Sequence, residues 1–193
     1  MNPAQYNLLI PQGTDYALTL TLTEGPSFRT TGAAVGASSI PLVAPLRTAL
    51  ATGDKVNFEG AIATLAAPAT VGTKTLTVEP LGFKLERVTG EKCLNLTGFT
   101  AIAPIYRNLS EASIAQLTAD VDTAPTEGKL ILTMANATSG PLPSTTSEFL
   151  TEAELQAITE QGSHYIWQLH LTDTNSLILR PVEGFVVVSQ KGA

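Results

Sequence analysis

The side chains best suited to chemistry lie near the end of the chain, in SHYIWQLHLTDTNS, residues 163–176. This segment contains the only Trp, Trp167, and the only two His residues, His164 and His170. Two imidazoles could bind a metal ion or exchange a proton. On one extended strand, however, residues six positions apart are separated by roughly 20 Å, too far to share one ion. The spacing therefore excludes a two-His chelate within this segment.

The other reactive groups are isolated in the sequence. Cys93 is the only Cys, so an internal disulfide is impossible and a CxxC metal motif is absent. Asp120 and Asp122 begin a segment that resembles a calcium loop, but Pro125 stands where the sharp glycine turn belongs. The sequence has no phosphate-loop, dinucleotide or nucleophile-elbow motif. We therefore predict no catalytic, cofactor-binding or metal-binding residues, and no cofactor.

Composition limits the class of partner. Charged residues make up 15% of the chain and the net charge is -6, whereas nucleic-acid binding needs a basic face. The N-terminus lacks the basic start and apolar run of a signal peptide, and no apolar run reaches ~18 residues. We expect folding in the cytoplasm, without membrane insertion or a nucleic-acid partner. The glycosylation patterns at Asn95, Asn108 and Asn136 then match by chance.

Around Trp167 the side chains alternate with the two-residue period of a strand. One set is Tyr165, Trp167, Leu169 and Leu171, and the other is His164, Ile166, Gln168 and His170. This alternation predicts one face in a core and one partly solvated, with Trp167 as a core or interface anchor. After a turn over Asp173–Ser176, we expect a return strand that Pro181 interrupts and Gly184 bends.

The same period predicts further strands, and capping signals predict one helix. The strands are expected over residues 7–10, 15–23, 96–108, 114–122 and 128–135. Pro104 should restrict its strand to an edge or a bulge. A loop is expected over 137–147. Thr151 can cap the helix with Glu154 as its reciprocal partner, and Gly162 ends it.

Residues 33–97 contain a degenerate duplication. VGASSIPLVAPL (35–46) corresponds to VGTKTLTVEPL (71–81), and TGDKVNF (52–58) corresponds to TGEKCLNL (89–96). Each copy has Val-Gly, a strand, Pro-Leu, a Thr-Gly-acid-Lys turn and another strand. Neither copy is long enough to bury a core alone, so we predict that the two pack together as a small barrel or sandwich. A tandem of two unrelated hairpins is the alternative.

The charge distribution supports a domain boundary at the duplication. Residues 33–97 carry six Lys/Arg and five Asp/Glu, a balance of +1, while the remainder carries five and twelve, a balance of -7. We predict a discontinuous β-sandwich host domain, residues 1–32 and 98–193, and an inserted β domain, residues 33–97, built from two similar halves. The fold class is mainly β: a sandwich with one short helix, interrupted by a small β-barrel-like insert.

The flanking segments also follow a recognisable order. They run PQGTDYALTLTLT, LTGFTAIAPIYR, GKLILTMA, a short acidic helix, GSHYIWQLHLTD and LILRPVEGFVVVS. This order resembles the immunoglobulin-like N-terminal domain of tailed-bacteriophage upper-baseplate and related tail proteins. Tyr165, Trp167 and Leu169 match that family's aromatic-rich strand pattern, and Gly184 matches the glycine before its last Val-rich strand. The duplicated insert resembles Val-Gly and Gly-Asp elements of phage structural proteins.

The resemblance implies an immunoglobulin-like β-sandwich in a structural component of a phage tail, in the baseplate or fibre-attachment region. It implies no enzymatic activity, assembly in the host cytoplasm and a final location in the virion. Partners would be other tail or baseplate proteins and further copies of the chain in a symmetric homo-oligomer. The alternative is a receptor- or carbohydrate-binding module of the adsorption apparatus, which requires exposed aromatic residues on a concave face. A cell-wall hydrolase ranks third.

Overall fold

The computed structural model describes residues 4–107, 109–135, 138 and 165–189. Its strands, in chain order, are β1 (Ala4–Gln5), β2 (Leu8–Pro11), β3 (Tyr16–Thr21), β4 (Thr23–Arg29), β5 (Ser39–Pro41), β6 (Lys55–Phe58), β7 (Ala61–Thr64), β8 (Thr75–Thr77), β9 (Thr89–Cys93), β10 (Thr100–Tyr106), β11 (Ala115–Val121), β12 (Lys129–Met134), β13 (Tyr165–Thr172) and β14 (Ile178–Ser189). A 3-10 turn covers Pro125–Glu127. One sheet curls into a half-barrel, and the predicted mainly β, sandwich-like class is confirmed. The predicted helix and the 137–147 loop lie outside the described residues, except for residue 138.

Two compact units make up the chain. The first comprises Met1–Leu20, Gly98–Val121 and Leu130–Ala193, and the second comprises Thr21–Thr97 and Asp122–Lys129. The sequence had placed residues 21–32 and 122–129 in the host. They belong to the second unit because β4 pairs with β9, and because Leu96 N–H donates to Pro125 O at 2.9 Å.

The first unit is built on an eight-stranded sheet ordered β1-β14-β13-β10-β11-β12-β3, with β2 also paired to β14. β1 and β2 run parallel to β14, whereas β13 runs antiparallel to both β10 and β14. The predicted alternation in β13 is confirmed, since Trp167, Leu169 and Leu171 are buried while Ile166 and His170 are partly exposed. One face of this sheet therefore forms the core of the unit.

Pro104 lies neither at an edge nor at a bulge, the two positions predicted for it. β10 is an interior strand that pairs with β11 on one side and β13 on the other. Its ladder to β13 omits Ala103 and Pro104 and resumes the same register at Ile105, opposite Trp167. Proline lacks a backbone N–H, so an interior strand can hold it where the ladder is interrupted.

The interruption predicted at Pro181 is found in the pairing of the last strand and not in the strand itself, because the register shift leaves Arg180 and Pro181 opposite His170. No shift falls at Gly184, where a bend or bulge was predicted. β14 runs without a break through Pro181 and Gly184, and the irregularity lies in its pairing with β13, where the register shifts between Leu169 and Leu171. The turn before it is as predicted. Asp173 Oδ1 accepts the N–H groups of Asn175 at 2.9 Å and Leu177 at 2.8 Å.

In the second unit, strands from the two halves of the duplication interleave. The four-stranded sheet is ordered β4-β9-β6-β7, and a separate pair joins β5 to β8. We define the first half as residues 23–58, which contain β4, β5 and β6, and the second half as residues 61–93, which contain β7, β8 and β9. Both halves begin earlier than the copies seen in the sequence, which start at residues 35 and 71. Ile40 of β5 is paired with Leu76 of the antiparallel strand β8, and both side chains are fully buried. Because each half pairs with the other, neither can bury the core alone.

Equivalent positions of the two halves make equivalent backbone hydrogen bonds. Gly36 N–H donates to Leu81 O at 2.8 Å, and the equivalent Gly72 N–H donates to Leu46 O at 2.9 Å. In the same way, Val43 N–H donates to Arg29 O at 2.8 Å, and Glu79 N–H donates to Thr64 O at 2.9 Å. These bonds align Leu46 with Leu81 and Arg29 with Thr64. The repetition favours a true duplication over two unrelated hairpins.

One element of the duplication does not repeat. The sequence predicted a Thr-Gly-acid-Lys turn in both copies, but only the first, at residues 52–54, is a turn. In the second copy Thr89 and Gly90 lie within β9. A Cβ on Gly90 would meet the rings of Phe28 and Phe58, which pack edge to face with centroids 6.1 Å apart. This glycine therefore serves close packing.

Candidate functional site

Trp167 lies in the core of the first unit, as its alternation predicted. Its side chain is fully buried, and its Nε1–H donates to Tyr6 O at 2.8 Å, which joins β13 to the segment between β1 and β2. Gly184 pairs with Trp167 across the ladder, and a Cβ there would collide with Tyr6 O. The indole is therefore a structural anchor with its one donor satisfied.

A chain of polar side chains crosses the opposite face of β13 and β14. Gln168, 5% exposed, donates through Nε2 to Glu183 Oε2 at 3.3 Å, and Gln5 Nε2 donates to Glu183 Oε1 at 3.0 Å. The Oε1 atom of Gln168 lies 3.2 Å from His170 Nε2. With this amide orientation, His170 Nε2 carries the proton and donates it to Gln168.

This polar chain can position side chains but cannot relay a proton, because the carboxamide of Gln168 stands between His170 and Glu183. Burial, and secondarily the charge of Arg180, lowers the pKa of His170, so its neutral form is favoured. The other histidine of the sequence, His164, lies outside the described residues. Of the two histidines, the structure therefore describes only His170.

The acidic and thiol candidates form no metal site. Asp122 is followed by the 3-10 turn, and Thr123 Oγ1–H donates to its Oδ1 at 3.0 Å, which holds the pKa of Asp122 below its usual value. Cys93 is 2% exposed, and burial raises its pKa to about 11. Within the described ranges, no three His, Cys, Asp or Glu side chains are grouped so as to hold an ion.

The first candidate interaction surface is the outer face of the first unit. We define this outer face as the side of β10, β13 and β14 opposite Trp167, and its apolar members are Ile102, Tyr106, Ile166, Ile178 and Phe185. Ile102 is 45% exposed and Ile178 is 59% exposed, while Leu177, next to this face at the start of β14, is 58% exposed. Exposed aliphatic side chains on one face of a sheet are suited to contact with protein.

The second candidate surface is a cleft of about 480 Å³ in the second unit. One wall is β4, from Glu24 to Arg29, and the other is the loop from Val43 to Leu50, with Lys92 also lining the space. The register of β4 against β9 shifts between Glu24 and Phe28, where Gly25 adopts a φ of 75°. This bulge turns the edge strand out of the ladder and widens the space beside the loop.

The charges of the cleft are partly neutralised. Lys92 Nζ lies 2.9 Å from Glu24 Oε1 and 3.3 Å from Asp54 Oδ2, and the hydrogen bond to Glu24 is the main reason that its pKa is raised. Arg29 and Arg47 are exposed, and among the described residues neither has a carboxylate within salt-bridge distance. The cleft therefore offers two guanidinium groups to an anionic partner.

Sequence reasoning missed this cleft, although a signal for it was present. The equivalent hydrogen bonds align Arg29 with Thr64, and counting on from the aligned Leu46 and Leu81 places Arg47 opposite Gly82. The first half also has Val-Ala-Pro-Leu where the second has Glu-Pro-Leu, one residue fewer. Comparing the two copies for their differences would have pointed to this loop.

No protein-family model matches the chain, and no curated protein matches it significantly. Within the described residues, no helix is sufficiently long and apolar to cross a membrane.

Proposed function

We propose that the protein is a structural component of a bacteriophage tail, in the baseplate or fibre-attachment region, and that it acts through protein–protein assembly interfaces. The observation that carries the proposal is the presence of exposed aliphatic side chains on the outer face, such as Ile102 and Ile178. Burying such side chains against a partner stabilises a complex by about 25 cal/mol per Å² of apolar surface, before the costs of association. The order of strand segments around Trp167, which resembles that of phage tail proteins, supports the same role.

The inside of the first unit is suited to such a role. Trp167 and Gly184 fix the N-terminal segment against the two long strands β13 and β14, so the outer face is carried by interior strands of a large sheet. A rigid face loses little conformational entropy when it binds. Partners would be neighbouring tail proteins and further copies of the chain.

The buried indole weighs against the receptor- or carbohydrate-binding alternative. Sugar-binding sites use exposed aromatic rings as platforms, whereas the ring of Trp167 is fully buried and its donor is satisfied by Tyr6 O. Binding of the purified protein to isolated cell-surface glycans would restore that alternative.

Mass spectrometry of purified particles of the phage that encodes the chain tests the proposal. We expect the protein in several copies per particle, at a fixed ratio to the other tail proteins. Its absence from particles whose tails are complete would contradict the proposal. Light scattering of the isolated protein would then report whether copies associate without the tail.

A further inference from the structure

We propose that the cleft between β4 and the 43–50 loop binds an extended acidic peptide segment of a partner protein, through Arg29 and Arg47. The assignment is independent of the tail role, since it concerns only the surface of the second unit. It rests on three observations: a cleft of suitable size, two cations without carboxylate partners, and a break in the internal symmetry at that place.

The size and lining of the cleft are those of a binding site. Its volume of about 480 Å³ lies within the range of roughly 300–1,000 Å³ usual for ligand sites. Pro26, Phe28, Val43 and Pro45 contribute apolar surface, and Arg29 contributes a charge. Such a surface can cover the apolar side chains of a short peptide while pairing with its carboxylates.

The two halves agree in their core positions and differ at the cleft. Positions that build the core are apolar in both halves, as with Ile40 and Leu76, or Leu46 and Leu81. The arginines have no basic counterpart, since Thr64 and Gly82 occupy the equivalent positions. The two cations are exposed and lie outside the apolar core that both halves share, so they are available for another purpose.

The charges select an acidic occupant. Lys92 pairs with both Glu24 and Asp54, and this group of three carries a net charge of -1. Arg29 and Arg47 outweigh it, so the cleft and its border keep a net charge of +1. Guanidinium groups bind carboxylates through paired, charge-assisted hydrogen bonds. A nucleic acid would suit the cleft less well, because Glu24 lines it and the chain carries a net charge of -6.

The edge strand itself restricts the mode of binding. β4 lies at the edge of its sheet, but Pro26 has no N–H to donate and Gly25 turns the backbone away from the ladder. Simple addition of a strand along β4 is therefore disfavoured. The peptide should lie in the cleft and be held by side chains.

Fluorescence anisotropy with the full-length protein and a labelled peptide of alternating Glu and Val tests the assignment. We expect saturable binding that weakens with added salt, and much weaker binding of the same peptide with Gln in place of Glu. Arg29→Gln and Arg47→Gln should each raise the Kd about three- to tenfold. Ala44→Trp, which fills the cleft without changing its charge, should abolish binding.

Arg87→Gln is the matched control, because it removes an exposed positive charge from the same unit outside the cleft. It should leave the Kd unchanged. An equal loss with Arg87→Gln, equal binding of the Gln peptide, or stronger binding of single-stranded DNA would each overturn the assignment. Circular dichroism of every variant verifies that the fold is retained, and particle composition reports on the tail role separately.

Discussion

At the scale of single residues, the positions that looked most reactive in the sequence stabilise the fold. Trp167 donates its one hydrogen bond to a backbone carbonyl, and His170 is hydrogen-bonded to Gln168. Cys93 is buried with a raised pKa. The residues suited to binding, Arg29 and Arg47, belong to no motif. Residue types alone would therefore have directed attention to the wrong positions.

Gly184→Ala should lower the free energy of unfolding by about 2–4 kcal/mol. The new Cβ would collide with Tyr6 O, a backbone atom that can move only if the segment between β1 and β2 shifts. Gly82→Ala is the control, since a Cβ there meets nothing within 4 Å. Urea denaturation of both variants measures the difference, and equal midpoints would contradict the close approach.

Cys93 should resist a thiol reagent such as Ellman's reagent in the native protein and react fully in guanidinium chloride. Its side chain is 2% exposed and its pKa is about 11, so little thiolate is present or accessible at pH 8. Absorbance of the released thionitrobenzoate follows the reaction. Complete labelling of the native protein within minutes would contradict the buried position.

At the scale of elements, the second unit is held together by strands exchanged between the halves of a duplication. β9 of the second half lies between β4 and β6 of the first half, and β5 pairs with β8. The sequence shows the duplication as two successive copies, but the pairing alternates between them. Destabilising one half should therefore destabilise the whole unit.

Gly90→Ala tests this interleaving at its tightest contact. The Cβ would overlap the rings of Phe28 and Phe58, so one ring must move, and we expect a loss of about 1–3 kcal/mol. If the unit is cooperative, hydrogen exchange of the backbone amides in β5 and β8 should also become faster, although neither strand contains the substitution. Faster exchange confined to β9 would contradict the interleaved core.

Much of the strand pattern could be predicted from the sequence, because alternation of apolar and polar residues is local. The strand around Trp167 and the buried face of β12, with Leu130, Leu132 and Met134, follow directly from it. The interior position of Pro104 could not be predicted, since it depends on which strands become neighbours. Comparison of the two copies would have singled out the 43–50 loop, but not the cleft itself, because the bulge at Gly25 and this loop meet only after folding.

At the scale of the whole molecule, each of the two units carries one candidate surface. The outer face of the first unit combines exposed aliphatic side chains with the polar chain of Gln168, whereas the cleft of the second unit is cationic. Surfaces of different chemistry select different partners. A component with both could connect two kinds of neighbour in one assembly.

Ile178→Glu should leave the isolated protein as stable as before and should prevent its incorporation into particles. The side chain is 59% exposed, so a carboxylate there is solvated in the free protein but costly to bury in an interface. Val35→Glu is the control, as an aliphatic residue 64% exposed on the other unit. Thermal melting and particle composition are the two measurements, and normal incorporation of Ile178→Glu would contradict the role of the outer face.

The most direct measurement is a density map, at side-chain resolution, of the phage particle that we propose contains the chain. We predict that the chain is found in the tail, with Ile102 and Ile178 buried against a neighbouring protein subunit. A map of a complete tail without this chain, or one in which the outer face meets only solvent, would contradict it.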